Sequence, residues 1–254
     1  MKTYLLDNQD IHTGALILVN EEYGYRETKK RNITALSHTD ALVQIDTQAA
    51  VSLSALLKKI GGFNEIIPVS GWRSFQEQQA IWDTSLSENG KAFTQKFVAL
   101  PGHSEHQTGL AIDLALKQDH IDFICPEFPY SGICGKFREN ASDFGFIERY
   151  PAGKEAVTRI GHEPWHFRYV GTPHAKVMEN LKLTLEEYMD FLRSYPYDAR
   201  PYRPDSADAE VEISFLETGG RGITPLTLHE KSRYSISGNN IDGFIITEWR
   251  NTHE

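Results

Sequence analysis

Proline 164 fixes how the most chemically loaded stretch of this chain can fold. The stretch Gly161-His-Glu-Pro-Trp-His-Phe-Arg168 contains the pattern H-E-x-x-H, from His162 to His166. On a helix that spacing sets two histidines on one face, where they can share a zinc ion. A proline inside a helix costs about 3 kcal/mol, and the following Trp-His-Phe-Arg-Tyr-Val is aromatic and β-favouring. The segment is therefore expected to be a strand, on which residues four apart are separated by about 13 Å. His162 and His166 do not share an ion on that geometry. Partners for His166 have to come from elsewhere in the chain.

A second cluster offers them: Gly102-His-Ser-Glu-His-Gln-Thr-Gly-Leu-Ala-Ile-Asp113. Leu110, Ile112, Leu114 and Leu116 alternate with Ala111, Asp113 and Ala115, which is strand periodicity with one carboxylate on an alanine-lined face. A buried carboxylate needs a partner or a metal. Catalytic zinc takes three protein ligands from His and carboxylate and keeps a fourth position open. His106 and Asp113 supply one nitrogen and one oxygen to join His166, Gly109 allows the backbone to bend between them, and the alanines leave room. Spacing alone leaves His103 as an alternative to His106.

The rest of the chain reads as mixed helix and strand. Residues 15–19 form a short apolar strand. Thr47 opens a helix with Ala49, Ala50, Leu53, Leu56, Leu57 and Ile60 on one stripe, ended by Gly61-Gly62. Residues 66–69 read as a buried strand leading into Ser70-Gly-Trp-Arg-Ser74. Ser74 and Glu77 make a capping box for a helix from Phe75 to Leu86. Residues 91–98 and 136–144 are expected as helices, the second closed by Gly145, and residues 146–150 and 165–170 as strands. Thr184 with Glu187 caps a helix reaching Arg193. Three prolines among aspartates and arginines mark residues 195–208 as a linker. Beyond it, residues 211–216, 227–229 and 244–249 are short strands, with turns at Gly219-Gly220 and Gly238-Asn239-Asn240. The expected fold class is α+β: a small antiparallel sheet carries a zinc site with helices packed around it, and a small C-terminal β appendage follows. The expected division is a catalytic domain at 1–194, a Pro-rich linker at 195–208 and the appendage at 209–254.

Charge narrows the function classes. The chain has 26 Lys and Arg against 35 Asp and Glu, a net charge of −9, which repels phosphate backbones. No basic cluster exceeds Lys29–Arg31, so neither a nucleic-acid partner nor an anionic membrane surface is expected. No apolar run approaches the ~18 residues of a membrane helix. The amino terminus turns polar after two leucines, unlike a signal peptide, so a cytoplasmic location is expected. Cys125 and Cys134 are too few for a disulfide scaffold and read as small apolar residues in or near a core. His12, His38, His120, His174, His229 and His253 have no companions in sequence and read as surface residues.

Taken together, Ser104-x-His106-x-x-Gly-x-Ala-x-Asp113 and the later Glu163-x-x-His166 resemble the signature of the zinc D-Ala-D-Ala peptidases. These sit among the LAS metallopeptidases, with lysostaphin-type enzymes and hedgehog domains. Ser70-Gly-Trp-Arg73-Ser74 with Gln78, and Phe146-Ile-Glu-Arg-Tyr150-Pro, are similar to the branch holding VanY carboxypeptidases and VanXY bifunctional enzymes of vancomycin resistance. The resemblance implies one catalytic zinc ion on His106, Asp113 and His166, with Glu163 as general base and Arg73 stabilising an oxyanion. It implies substrate contacts at Ser104, Gln78 and Tyr150. The implied substrate is a small peptide, D-Ala-D-Ala or a D-Ala-terminated peptidoglycan precursor.

Elementary chemistry agrees with those roles. Zinc polarises a scissile carbonyl and acidifies water, and a carboxylate beside that water can move its proton to the leaving amine. Arg73 stays charged and offers fixed donors to a developing oxyanion. On a regular strand Glu163 and His166 face opposite sides, so the reading requires a bend near Pro164. Two alternatives keep the metal: a murein L-alanyl-D-glutamate endopeptidase, and a non-catalytic zinc-containing binding domain. The second is disfavoured because Glu163, Arg73 and Ser104 are present together.

Overall fold

In this computed structural model the chain is described except at residues 31, 37–41, 206–209, 220–221, 229–231 and 251–254, and except for the side chain at 210. The elements run β1 (Lys2–Asp7), β2 (Ile33–Ala35), β3 (Gln44–Asp46), α1 (Thr47–Ile60), β4 (Ile66–Ser70), α2 (Phe75–Phe97), β5 (Ala111–Leu116), α3 (Gly132–Ala141), β6 (Phe146–Tyr150), α4 (Glu155–Thr158), β7 (Glu163–Tyr169), α5 (His174–Leu181), α6 (Leu185–Leu192), β8 (Glu210–Glu217), β9 (Ile223–Leu228), β10 (Arg233–Gly238) and β11 (Gly243–Arg250). They fall into two units. One holds Val19–Tyr25 and Lys30–Thr184; the other holds Met1–Leu18, Arg26–Lys29 and Leu185–Glu254.

The first unit is built on an antiparallel sheet in the order β4-β5-β7-β6. Side-chain alternation gives its strands two faces. Ile112 and Leu114 of β5 and Phe167 of β7 join Leu53, Leu56 and Leu57 of α1 and Phe137 of α3 in one apolar core. The opposite set contains Ala111, Asp113, His166 and Arg168, with Ala111 paired to Arg168 and Asp113 to His166 across the ladder. Asp46 caps α1 by accepting from the backbone N–H of Gln48 and Ala49, and Gly61 closes it at φ 73°. The Ser74–Glu77 capping box opens α2. The two helices expected there are joined into one assigned span across a non-helical Gly90. α3 begins before its expected start, and a short 3-10 turn carries the chain on to Gly145.

In the second unit β10-β11-β8 form one antiparallel sheet, and β1 pairs antiparallel with β9 from Lys2–Leu228 to Asp7–Ile223. Leu226, Leu228, Phe244 and Ile246 make its core with Tyr4, Leu6 and Ile236. This division differs from the expected boundary after residue 194, because the first strand of the chain belongs with the β-rich unit. Neither β1 nor β10 was legible as a strand. The expected strand at 15–19 is buried but carries no strand ladder. Leu16 N–H donates to Ser237 Oγ, Leu18 N–H donates to the Asn239 carbonyl, and Asn240 Nδ2 donates to the Leu18 carbonyl. The stretch expected as a linker lies along β8, through Pro196 beside Phe215 and Tyr202 beside Ile213.

Among the isolated histidines, His174 is buried at the start of α5, against expectation, and the Nδ1–H of His12 donates to Asn240. His120 is exposed. His38, His229, His253, Arg31 and Gly220 lie outside the described residues. Both cysteines are free thiols, Cys134 in the core and Cys125 packed against it. Among the described residues no helix is long and apolar enough to cross a membrane.

Candidate active site

Asp113 and His166 face each other because register pairs them on β5 and β7. The Nδ1–H of His166 donates to Asp113 Oδ1 at 2.9 Å. His106 arrives from a 3-10 turn, Glu105–Thr108, that ends at Gly109 with φ 73°. The positive φ favours glycine at that position, and a Cβ there would also displace the tip of the Ile33 side chain, 2.4 Å away. The Nδ1–H of His106 donates to the carbonyl of Gly71 at 2.7 Å, and its Nε2 lies 3.1 Å from Asp113 Oδ2. Gly71 can approach so closely because a Cβ there would lie 2.2 Å from the Gln44 carbonyl oxygen. One ligand atom from each of His106, Asp113 and His166 lies within 4.8 Å of the others, and all three residues are buried.

Glu163 joins this group through a local irregularity. Between the pairs Glu148–Phe167 and Tyr150–Glu163, β6 advances two residues while β7 advances four. Extra residues on one strand bend it and re-aim side chains. Arg138 braces the bend: it donates to the Pro164, Phe128 and Pro129 carbonyls and pairs with Glu148 at 2.9 Å. Glu163 Oε2 thereby comes within 3.7 Å of His166 Nδ1 despite the three-residue spacing.

These groups line a cleft of about 500 Å³ that also holds Arg73, Gln78, Ser104 and Tyr150. Arg73 Nη2 is 3.9 Å from Asp113 Oδ2, and its Nε has no hydrogen-bond partner. Gln78 donates its amide to the Ala99 carbonyl at 2.7 Å, which leaves its buried Oε1 unpartnered. The Tyr150 ring tilts against that of His166, centroids 4.9 Å apart. His103 donates instead to the Asn20 carbonyl and does not belong to the three-residue cluster. His162 turns toward Tyr130 and Glu148.

Charge is organised around the buried carboxylates. Burial works against ionised Asp113, but His106 and His166 beside it hold its carboxyl far below the usual range. Burial and the Arg73 charge push His106 down to about 4, so its imidazole is neutral at pH 7. Burial disfavours the charged form of His166, yet its hydrogen bond to Asp113 and the nearby Glu105 carboxylate, 3.6 Å away, raise it to about 9. Burial, helped by the Asp113 charge, pushes Glu163 up to about 8. Strong opposite shifts of neighbouring groups in one cleft are the pattern that acid–base chemistry uses.

The donor set suits a metal ion. A neutral imidazole with its second nitrogen fixed on a carbonyl, an ionised carboxylate and a second imidazole form a three-ligand site next to open cleft. The sequence did not reveal three residues behind it: Glu105, Arg149 and Arg168 are fully buried and bonded to one another. The only signal for Arg168 was its place two residues beyond His166 on a strand.

The D-alanyl-D-alanine carboxypeptidase model named VanY matches residues 42–172, a span that contains His106, Asp113, His166 and the cleft residues above. The chain belongs to the VanY family. It is 42% identical over 179 residues to the bifunctional D-Ala-D-Ala dipeptidase and carboxypeptidase VanXYC of Enterococcus gallinarum, covering 70% of this chain and 94% of that protein. The crystal structure of the vancomycin resistance D,D-dipeptidase VanXYg with a D-Ala-D-Ala phosphinate analog has a TM-score of 0.93 and 46% identity, covering 98% of this chain and 99% of that one. A VanY variant from a VanB-type resistance cassette, in complex with Zn(II), has a TM-score of 0.57 and 31% identity over 69% of this chain and 98% of its own.

Proposed function

We propose that this VanY-family metallopeptidase hydrolyses D-Ala-D-Ala and removes the terminal D-Ala from peptidoglycan precursors, as in glycopeptide resistance. The observation that carries this reading is the convergence of the His106–Asp113–His166 cluster, Glu163 and Arg73 in one cleft. Its resemblance to VanXYC and VanXYg along most of the chain supports the substrate class.

His106, Asp113 and His166 would hold the ion, read as zinc from the two-imidazole, one-carboxylate donor set. When bound, the ion supplies Lewis acidity to the scissile carbonyl and to water. Glu163 accepts the proton of the attacking water and passes it to the departing amine nitrogen. Ionised beside the bound cation, a carboxylate whose basicity burial raises can take that proton and then give it up. Arg73 presents its guanidinium to the developing oxyanion, a contribution worth about 3 kcal/mol in other hydrolases. Ser104, Gln78 and Tyr150 orient the peptide, with the unpartnered Gln78 Oε1 accepting an N–H. We place the reaction in the cytoplasm, where free dipeptide and nucleotide-linked pentapeptide are made.

The test is product analysis with zinc-loaded protein on D-Ala-D-Ala, a D-Ala-ending pentapeptide precursor and intact murein. Release of D-alanine, blocked by chelator and lost in Glu163→Ala with zinc retained, is the expected result. Murein cleavage without D-alanine release would identify the L-alanyl-D-glutamate endopeptidase instead, and no turnover of any substrate would leave a binding domain.

A further inference from the structure

Glu105 lies in the chain between Ser104 and His106 and lines the same cleft, with its carboxylate held by two arginines. Its Oε1 accepts from Arg149 Nε at 2.8 Å and from Arg168 Nη1 at 2.6 Å. Among the described residues its Oε2 has no hydrogen-bond partner, and neither does Nε2 of His166, 3.6 Å away. Leaving a buried carboxylate oxygen and a buried ring nitrogen unpaired is costly. Two such orphans facing each other are a pair set to close.

The other edge of the same ring explains when it closes. Nδ1 of His166 faces Asp113 Oδ1 at 2.9 Å and Glu163 Oε2 at 3.7 Å, so this is the nitrogen on the metal side. A coordinating nitrogen carries no proton. A neutral His166 bound through Nδ1 therefore holds its proton on Nε2, directed at Glu105.

We propose that Glu105 is a positioning residue: oriented by Arg149 and Arg168, its Oε2 accepts the Nε2–H of His166 and fixes the tautomer that leaves Nδ1 free for the metal. This inference rests on the reading that His106, Asp113 and His166 hold the ion. A carboxylate behind a metal-bound histidine orients the ring and raises its basicity, and losing it weakens metal binding by about 10–100-fold. Glu105→Gln is a sharp test. With the amide oxygen taken by the two arginines, its NH2 faces Nε2 and demands a lone pair there, which favours the opposite tautomer.

Zinc affinity of the full chain is measured by competition with a chelator, and the His166 tautomer by long-range proton–nitrogen NMR correlations. Wild type is expected to show zinc on Nδ1 and a slowly exchanging Nε2 proton. Glu105→Gln is expected to bind zinc 10–100-fold more weakly, with that proton lost or rapidly exchanging. Unchanged affinity and tautomer in a folded Glu105→Gln would overturn the proposal. If the variant does not fold, wild type decides: a rapidly exchanging Nε2 proton, or zinc on Nε2, would overturn it equally. Failure of the underlying site reading looks different, since zinc would then bind His166→Ala as tightly as wild type.

Discussion

Asp113 and His166 stand directly opposite each other on neighbouring antiparallel strands, and their side chains meet at 2.9 Å. The relationship is set by backbone register. A one-residue slip of β7 would carry His166 to the core face and bring an apolar neighbour into the cleft. A ladder and a tight turn, both backbone features, position the three candidate ligands.

The proton inventory of these residues predicts what an ion displaces on binding. At pH 7 His166, raised to about 9, carries a proton that its ligating nitrogen must lose, and Glu163, raised to about 8, loses its own beside a cation. His106 is already neutral and Asp113 already ionised. Zinc binding at pH 7 is expected to release about two protons, with affinity rising roughly tenfold per pH unit for each. Titration calorimetry in two buffers of different ionisation enthalpy counts them; no proton release would contradict the assignment.

Glu163 is expected to destabilise the metal-free protein. Its folded value of about 8 lies above the ordinary 4.5, so between those pH values the native state keeps a proton that the unfolded chain has released. Stability therefore falls as pH rises through that window, by an amount on the order of 3–5 kcal/mol. Metal-free Glu163→Gln should resist urea better than wild type at pH 8 and equally at pH 4.5, and its zinc-loaded form should release no D-alanine.

Gly71→Ala tests how His106 is held. A Cβ there would meet the Gln44 carbonyl at 2.2 Å, and relieving that clash moves the carbonyl that receives His106 Nδ1–H. A loss of about 2–3 kcal/mol in stability is expected from the overpacking, together with zinc binding weakened by about tenfold or more. Denaturant melts and chelator competition read the two effects separately.

His174 predicts an acid limit unrelated to the cleft. Burial depresses it to about 3, whereas in the unfolded chain it titrates at the ordinary 6.5. The native state refuses a proton that the unfolded chain accepts, so stability is fully present above 6.5 and is lost as pH falls toward 3. By pH 4.5 the loss is on the order of 2–3 kcal/mol. A His174→Phe variant should show a shallower acid-denaturation slope by one proton; an unchanged slope would mean the histidine takes its proton without unfolding.

What could be read from sequence follows the range of each physical signal. Strand alternation announced Asp113 on a small-residue face, and Pro164 turned His162–His166 from a helix into a strand; both are local effects. The approach of Glu163 to His166 needed a bend, which the proline suggested, but its form depends on how β6 and β7 register and on Arg138 beneath them. Glu105, Arg149 and Arg168 escaped notice because an isolated charge normally reads as surface, and only the fold brings three of them together in the interior. Strand β1 was missed for the same reason, since its partner lies at the other end of the chain.

That pairing of Lys2–Asp7 with Ile223–Leu228 bears on the order in which the protein can be made. Lys2–Asp7 leaves the ribosome on the order of tens of seconds before Ile223–Leu228 at ordinary rates of synthesis, and until then its partner does not exist. Residues 30–184 are finished well before then and hold His106, Asp113 and His166. Translation thus delivers the candidate site ahead of the strand that β1 pairs with.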